Sequence, residues 1–184
     1  MNKIVRVEAF PMQYPEPNND NKIRYVTLAR IETSDGIVGW GECISQWPEA
    51  ALAVKTIIDA GFAKLLIGED GTQVGRLWQK MRNHAYWHGH GGIVSFAISA
   101  LDIALWDIAG KAAGKPVSAL LGGAKHTHLP CYASLMRYTD PGLVAENSAR
   151  VVERGYGAVK LHELGVEQVR AARQAIGPKV GLMM

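Results

Sequence analysis

The sequence has little cysteine, no leader-like pattern in its first residues and no large excess of charge of one sign. Its two cysteines, Cys43 and Cys131, are far apart and form no C-x-x-C motif. The first residues, MNKIVRVEAF, lack the charged and then apolar pattern of a secretion signal with its cleavage site. These absences favour a protein of the reducing cytoplasm.

Binding to nucleic acid or to a membrane is not expected either. Twenty Lys and Arg stand against 17 Asp and Glu, and the basic residues are scattered among acidic ones without a basic block or an aromatic-studded basic stripe. A membrane span needs about 20 apolar residues. The longest apolar stretch, near Ile93–Ala113, is interrupted by Asp102, Asp107 and Lys111, so we expect no span. The composition, 48% hydrophobic, is that of an ordinary soluble globular protein.

The first 42 residues alternate in a way that is typical of β-strands. Strands are expected at residues 4–10, 25–31 and 37–42. The pair Asp35-Gly36 predicts a hairpin between the last two, because glycine accepts the positive φ of the turn. Residues 15–24 are polar and proline-rich, so we expect a mobile, exposed loop there.

From Pro48 the apolar residues recur at helical spacing. Gly61 and the glycine-containing segments 68–71 and 89–92 are expected to divide this region into about three helices. Ser95 is expected to cap the last of these helices. Short strands are expected near residues 129–135, 158–162 and 179–184, with helices near 143–154 and 166–176. This βαβαβ pattern predicts parallel strands joined by right-handed crossovers.

One long motif links these regions to a known family. The segment AISALDIALWDIAGK, residues 97–111, followed by Pro116-Val117 and Leu120-Leu121-Gly122, resembles a signature of the mandelate racemase and muconate lactonizing enzyme family of the enolase superfamily. The resemblance implies an α+β capping domain, an antiparallel meander plus helices, at residues 1–125. Residues 126–184 would begin a modified (β/α) TIM-type barrel. Only 59 residues follow Lys125, whereas a closed barrel takes about 250, so the barrel is expected to be incomplete.

The resemblance also implies a chemistry. Members of this family abstract the proton α to a substrate carboxylate while Mg²⁺ stabilises the enediolate. A sugar-acid dehydratase is the leading hypothesis, and a racemase, epimerase or cycloisomerase of the same family is the alternative. A non-catalytic fragment or degenerate relative, folding only with a partner, is the alternative from another class. The implied partners are a small carboxylate substrate and further copies of the chain in a homo-oligomer.

The pair Lys160 and His162, in GAVKLHE, stands where relatives carry Lys-x-Lys at the end of the second barrel strand. In a strand, residues i and i+2 share a face, and the carboxyl ends of barrel strands face the active site. Carried over by position, Lys160 would hold the substrate carboxylate and His162 would move the proton. The simpler alternative is a lysine lying along the surface beside a hydrogen-bonded structural histidine.

Four further residues are candidates for substrate binding. By the resemblance, two capping-domain loops read the distal end of the substrate, here residues 15–24 and 44–49, which makes Asn18, Arg24 and Trp47 candidates. Ser134, at the end of the first barrel strand, is a candidate for contact with the carboxylate. Each has a plain surface or turn role as its alternative. The family's metal ligands lie on later strands, so none is expected within residues 1–184 and the Mg²⁺ ligands are expected after Met184.

Two other patterns are assigned structural roles. His84 and His88 have the i, i+4 spacing of helical metal ligands. However, the segment that contains His84, His88 and His90 lacks the glutamate of the H-E-x-x-H motif and any nearby carboxylate. We expect them to end a helix and shape a loop. The glycines at 89–92 precede a helix, as phosphate-binding turns do, but no strand precedes them and a structural turn is preferred.

Overall fold

The computed structural model describes residues 2–17 and 19–184, and the chain forms two compact units. The first unit comprises Met1–Pro15 and Ile23–Lys125, and the second comprises Glu16–Lys22 and His126–Met184. Each unit has a hydrophobic core of its own.

The first unit contains the expected antiparallel meander. Strands β1 (Ile4–Glu16), β2 (Lys22–Thr33) and β3 (Val38–Ile44) form one sheet in the order β1-β2-β3. All of their residues except Glu16 and Lys22 belong to the first unit. Strands β2 and β3 pair antiparallel, with Val26 opposite Ile44 and Glu32 opposite Val38. The hairpin predicted from Asp35-Gly36 is confirmed, since Gly36 has a φ of +82° and the Thr33 amide donates to the Ile37 carbonyl at 2.9 Å.

The connection between β1 and β2 is shorter than the loop expected at residues 15–24. Strand β1 continues to Glu16 and β2 begins at Lys22. The amides of Asn19 and Asn21 donate to the Glu16 carbonyl at 3.0 and 3.1 Å, and Asn19 is buried. The sequence suggested a longer loop because polar residues at the ends of β1 and β2 mask the strand pattern.

The three helical segments of the first unit are confirmed, with two corrections. In the first segment, α1 (Pro48–Thr56) continues through a π-helical turn (Ile57–Phe62) into α2 (Ala63–Leu66). The second segment is α3 (Val74–His84), which ends in a 3₁₀ turn (Ala85–His88). The third is α4 (Ile93–Ala113), and a short helix α5 (Val117–Leu120) follows it. Gly61 was expected to end a helix, but it lies inside the π-helical turn. Gly92, and not Ser95, is the N-cap residue of α4, and the Ser95 hydroxyl donates to the His90 carbonyl.

Strand β3 lies directly on the backbone of α4. A Cβ atom at Gly39 would lie 2.2 Å from the Ala104 carbonyl oxygen, and one at Gly41 would lie 1.9 Å from the Ala100 carbonyl oxygen. Both glycines are required by this close approach. The contact places α4 at the centre of the core, whose largest fully buried members are Phe62, Ile4, Ile31, Ile58, Leu66, Leu77, Met81, Leu101, Leu105, Ile108 and Val54.

Helix α4 is long and apolar enough to cross a membrane by length and composition alone, with a mean hydropathy of 1.7 over 18 residues. Its three charged residues therefore do not by themselves exclude a span, contrary to the expectation from the sequence. Its packing gives a different assignment: ten of its residues are buried in the first unit, which is the environment of a core helix.

Side chains close the β1 edge of the sheet. The Ala9 amide donates to Asp59 Oδ1 at 2.9 Å, and Lys55 Nζ donates to the Ala9 carbonyl at 2.9 Å. Lys55 and Asp59 are also paired with each other at i and i+4. An edge strand otherwise presents such groups to other chains, so the ion pair takes the place of a neighbouring strand at this point.

The β3 edge is closed in the same way from α4. The Trp40 amide donates to Asp107 Oδ2 at 2.9 Å, and Lys111 Nζ donates to the Val38 carbonyl at 2.7 Å. Asp107 and Lys111 form an i, i+4 ion pair of 2.7 Å. Both residues belong to the family-like segment 97–111, which gives these two positions a structural role.

The second unit has the expected βαβαβ order. Strands β4 (Ala133–Ser134), β5 (Ala158–Lys160) and β6 (Gly181–Met183) form a parallel sheet in that order, with α6 (Pro141–Glu153) and α7 (Val166–Ile176) between them. Asp140 caps α6, accepting a hydrogen bond from the Leu143 amide at 2.8 Å. The core of this unit contains Leu135, Tyr138, Val144, Val159, Leu161, Ala172 and Ile176.

Candidate active site

Ser134 and Lys160 are neighbours across the parallel sheet. Ser134 on β4 is paired with Lys160 on β5, and Lys160 is paired with Met183 on β6. Paired residues of parallel strands have their side chains on the same face. Ala133 and Val159 occupy the opposite face and are buried, so Ser134 and Lys160 belong to the more exposed face of the sheet.

The alternation of β5 continues past its last residue. Val159 and Leu161 are buried, whereas Lys160 is half-buried and His162 is exposed. Lys160 and His162 therefore lie on one side of the chain at the carboxyl end of β5. In the part of the chain that the structure describes, Lys160 makes no ion pair, which leaves its ammonium group available to an anionic ligand.

The imidazole of His162 is held in one tautomer. Its Nδ1 atom lies 2.6 Å from the Leu135 carbonyl oxygen. Because a carbonyl oxygen can only accept, the hydrogen of a neutral imidazole must be on Nδ1 and the lone pair on Nε2. Leu135 is itself fixed by a 2.9 Å hydrogen bond from its amide to the Lys160 carbonyl. Neutral His162 thus has Nε2 as its proton-accepting atom.

Glu163 is a functional candidate that the sequence reasoning missed. Its side chain is 3% exposed, and its carboxylate accepts hydrogen bonds from the Tyr138 amide at 2.6 Å and from the Thr139 amide at 3.2 Å. The sequence does contain an indication of this role, because Glu163 continues the alternate positions 159 and 161, which are occupied by the buried residues Val159 and Leu161. A charged residue at a position where the period predicts an apolar one indicates a special role.

Tyr138 lies in the loop after β4 and is buried. Burial raises the pKa of the Tyr138 hydroxyl, and the negative charges of Glu16 and Glu163 act in the same direction. The Tyr138 hydroxyl therefore stays protonated over the physiological range, and its side chain is 4% exposed. We assign Tyr138 to the support of the loop.

The candidates from the capping region fall elsewhere in the chain. Arg24 is half-buried on β2, and Trp47 is 59% exposed at the N-cap position of α1. Both belong to the first unit. Asn18 lies outside the described residues. The structure thus groups Ser134, Lys160 and His162 within the second unit, while the roles of Arg24, Trp47 and Asn18 stay predictions.

Of the three histidines of the first unit, His84 and His88 end helical segments and His90 lies in the connection to α4, as expected. His84 is the last residue of α3 and His88 is the last residue of the 3₁₀ turn, with ring centroids 5.8 Å apart. Together with Phe62 and Val94 they line a cavity of about 490 Å³. Among residues 2–17 and 19–184, no group of three or more His, Cys, Asp or Glu side chains is placed to hold a metal ion.

Comparison with known proteins identifies related sequences and folds. Residues 5–122 match the family described as mandelate racemase / muconate lactonizing enzyme, N-terminal domain. D-galactarolactone cycloisomerase of Agrobacterium fabrum is 36% identical over 85% of this chain and 43% of its own length. A D-galactonate dehydratase family member of Paenibacillus sp. strain JDR-2 is 39% identical over 73% of this chain and 32% of its own length.

The fold comparison covers nearly the whole chain. The crystal structure of 3,6-anhydro-D-galactonate cycloisomerase from Zobellia galactanivorans matches 98% of this chain and 50% of that chain, with a TM-score of 0.84 and 33% identity. The chain thus spans half or less of the length of these three relatives.

Proposed function

Because the chain belongs to the mandelate racemase and muconate lactonizing enzyme family of the enolase superfamily, we propose that it removes the proton α to the carboxylate of a small sugar acid. The proposed overall reaction is a dehydration, in which the β-hydroxyl then leaves as water. The named relatives support this class, since they include a D-galactonate dehydratase family member and cycloisomerases of sugar-acid derivatives.

The observation that carries the proposal is the arrangement of Lys160 and His162 at the carboxyl end of β5. The Lys160 ammonium would pair with the substrate carboxylate and hold the α-carbon near the imidazole. His162 would accept the α-proton at Nε2, because the Leu135 carbonyl holds the hydrogen of the neutral ring at Nδ1. The resulting imidazolium can return that proton to the departing β-hydroxyl, so that the C–O bond breaks and water leaves.

Ser134 would supply a second contact to the carboxylate. It is the register partner of Lys160, and its hydroxyl can donate one hydrogen bond. We propose that Asn18, Arg24 and Trp47 contact the distal end of the substrate, as the corresponding loops of the family do. A serine hydroxyl beside a lysine ammonium suits an anionic oxygen better than an apolar group.

The family assignment is the only support for a Mg²⁺ requirement in this proposal. Enolase-superfamily relatives are generally Mg²⁺-dependent. The described residues do not fit such a site, because no group of three or more candidate ligands is placed to bind a metal. We therefore propose that any Mg²⁺ ligands come from outside residues 1–184, and the roles of Lys160 and His162 are argued without the ion.

A cycloisomerase is the second candidate function. It is favoured by two of the three relatives described above, which carry that name. Both candidate reactions are proposed to begin with the same proton at the same base, so the geometry of Lys160 and His162 is compatible with either. The two differ in stoichiometry, since only the dehydratase releases water, whereas a cycloisomerase gives a product that is an isomer of its substrate.

The test uses the full-length gene product with a set of sugar acids and sugar-acid lactones in D₂O. We expect a 2-keto-3-deoxy product with one substrate, and we expect His162→Asn to lower its rate at least about 100-fold, the lower range for a lost general base. Conversion of a lactone to an isomeric product, without loss of water, would favour the cycloisomerase. Undiminished turnover by His162→Asn would remove His162 from the mechanism.

A further inference from the structure

Among residues 2–17 and 19–184, the buried carboxylate of Glu163 binds backbone amides and no cation. Its Oε1 atom accepts from the Tyr138 amide at 2.6 Å and from the Thr139 amide at 3.2 Å, and its Oε2 atom lies 3.2 Å from the Thr139 amide. Within the described residues it makes no ion pair. A buried charge is unfavourable unless it is fully hydrogen-bonded. The burial of Glu163 therefore depends on its hydrogen bonds with the Tyr138 and Thr139 amides, and the same bonds hold these two amides in place.

Thr139 is the residue that most needs to be held. Its φ of +68° is left-handed, a conformation that is unfavourable for a β-branched side chain and that persists only when surrounding contacts impose it. Besides Glu163, Gln168 contacts this residue, donating from Nε2 to the Thr139 carbonyl at 2.6 Å. Gly165 makes room for that side chain, since a Cβ atom there would lie 2.1 Å from Gln168 Oε1.

The loop held by Glu163 is the one that orients His162. The loop begins at Leu135, whose carbonyl accepts from His162 Nδ1 at 2.6 Å, and it ends at Thr139. His162, which is exposed, and the adjacent Glu163, which is buried, therefore bind the two ends of this loop. Because residues 135–139 are continuous in the chain, movement of the loop at Thr139 can displace the Leu135 carbonyl, although the Leu135 amide is bonded to the Lys160 carbonyl.

We propose that Glu163 is a positioning residue for His162. By holding the Tyr138 and Thr139 amides it keeps the Leu135 carbonyl against His162 Nδ1, and so keeps Nε2 as the nitrogen that accepts a proton. The catalytic meaning of this arrangement rests on the function proposed above. The structural claim, that Glu163 controls the tautomer of His162, is independent of any substrate.

The test is the tautomer ratio of His162, measured by ¹⁵N NMR of the imidazole nitrogens in the 184-residue chain. An alkaline buffer keeps histidine rings neutral. Wild type is expected to have the hydrogen mostly on Nδ1. Glu163→Ala is expected to lower the Nδ1–H to Nε2–H ratio by about tenfold, the loss of one ordinary hydrogen bond. Glu163→Gln, which keeps an acceptor oxygen, is expected to recover most of the ratio.

The control is Asn147→Ala, which removes the 2.8 Å hydrogen bond that the amide of buried Asn147 donates to the Leu143 carbonyl in α6. It should destabilise the second unit without changing the tautomer. An unchanged ratio in Glu163→Ala, or an equal fall in Asn147→Ala, would overturn the inference. If Glu163→Ala does not fold, Glu163→Asp, whose carboxylate is one methylene shorter, replaces it with the same two outcomes. A failure to turn over sugar acids would refute the proposed function and leave this result intact.

Discussion

Replacing Gly41 with alanine tests the contact between β3 and α4. The new Cβ atom would lie 1.9 Å from the Ala100 carbonyl oxygen and 2.8 Å from the Ala104 amide nitrogen. Both neighbours are backbone atoms of a helix, which cannot rotate aside as a side chain can. Strand and helix must therefore separate by about 1 Å or more to restore ordinary contact distances.

The expected loss is at the upper end of what overpacking costs. Inserted methyl groups in well-packed cores destabilise by about 1–3 kcal/mol, and we expect about 3 kcal/mol for Gly41→Ala because α4 is the central helix of the first unit. For a unit of this size that corresponds to a fall in Tm of roughly 10 °C. Urea unfolding followed by circular dichroism gives the free energy, and hydrogen exchange of the β3 amides reports the first unit separately.

Gly75→Ala is the matched control. Gly75 lies in α3, and a Cβ atom there would meet no atom within 4 Å. The same chemical change should therefore stabilise the protein by about 0.5 kcal/mol, because alanine has the higher helix propensity. A Gly41→Ala variant within about 0.5 kcal/mol of wild type, the range of a neutral surface substitution, would refute the close contact between β3 and α4.

Four further predictions concern charged residues and Cys43 of the first unit and the exposed cysteine of the second. Lys111→Met removes the hydrogen bond to a β3 carbonyl and should lower the free energy of unfolding by about 1 kcal/mol in urea titration; no change would mean that the edge needs no closure. Burial raises the pKa of Cys43 to about 11, so at pH 8 a thiol reagent should modify exposed Cys131 and spare Cys43, and equal rates would contradict the burial. The pKa of Cys43 is higher in the folded protein than in the unfolded chain. The protonated thiol therefore stabilises the fold fully below the unfolded pKa, and this contribution should decline as the pH rises towards 11. Hydrogen bonds from Arg76 and Lys80 lower the pKa of Glu69 to about 2, so this group stabilises the fold above the ordinary glutamate pKa and the contribution is lost as the pH falls towards 2. Arg76→Met should flatten that acid dependence of Tm, and an unchanged curve would contradict the pairing.

Local sequence patterns predicted most of the elements. The helix at Val166–Ile176 and the hairpin at Gly36 follow from period and turn chemistry, which depend on residues close together in the sequence. The errors arose where tertiary contacts override such rules. Gly61 does not end its helix, because it lies inside the π-helical turn, and Gly92 takes the N-cap position of α4 that the sequence suggested for Ser95.

The sequence by itself determined that Lys160 and His162 share a face, because the period of two in a strand is a local property. It also determined the family, through the segment at residues 97–111. Only the tertiary structure decided which nitrogen of His162 accepts a proton, since that depends on the carbonyl of Leu135, 27 positions earlier. The same holds for Glu163, whose partners lie 24 and 25 positions away. Hydrogen bonds between loops have no sequence period, so folding alone brings these groups together.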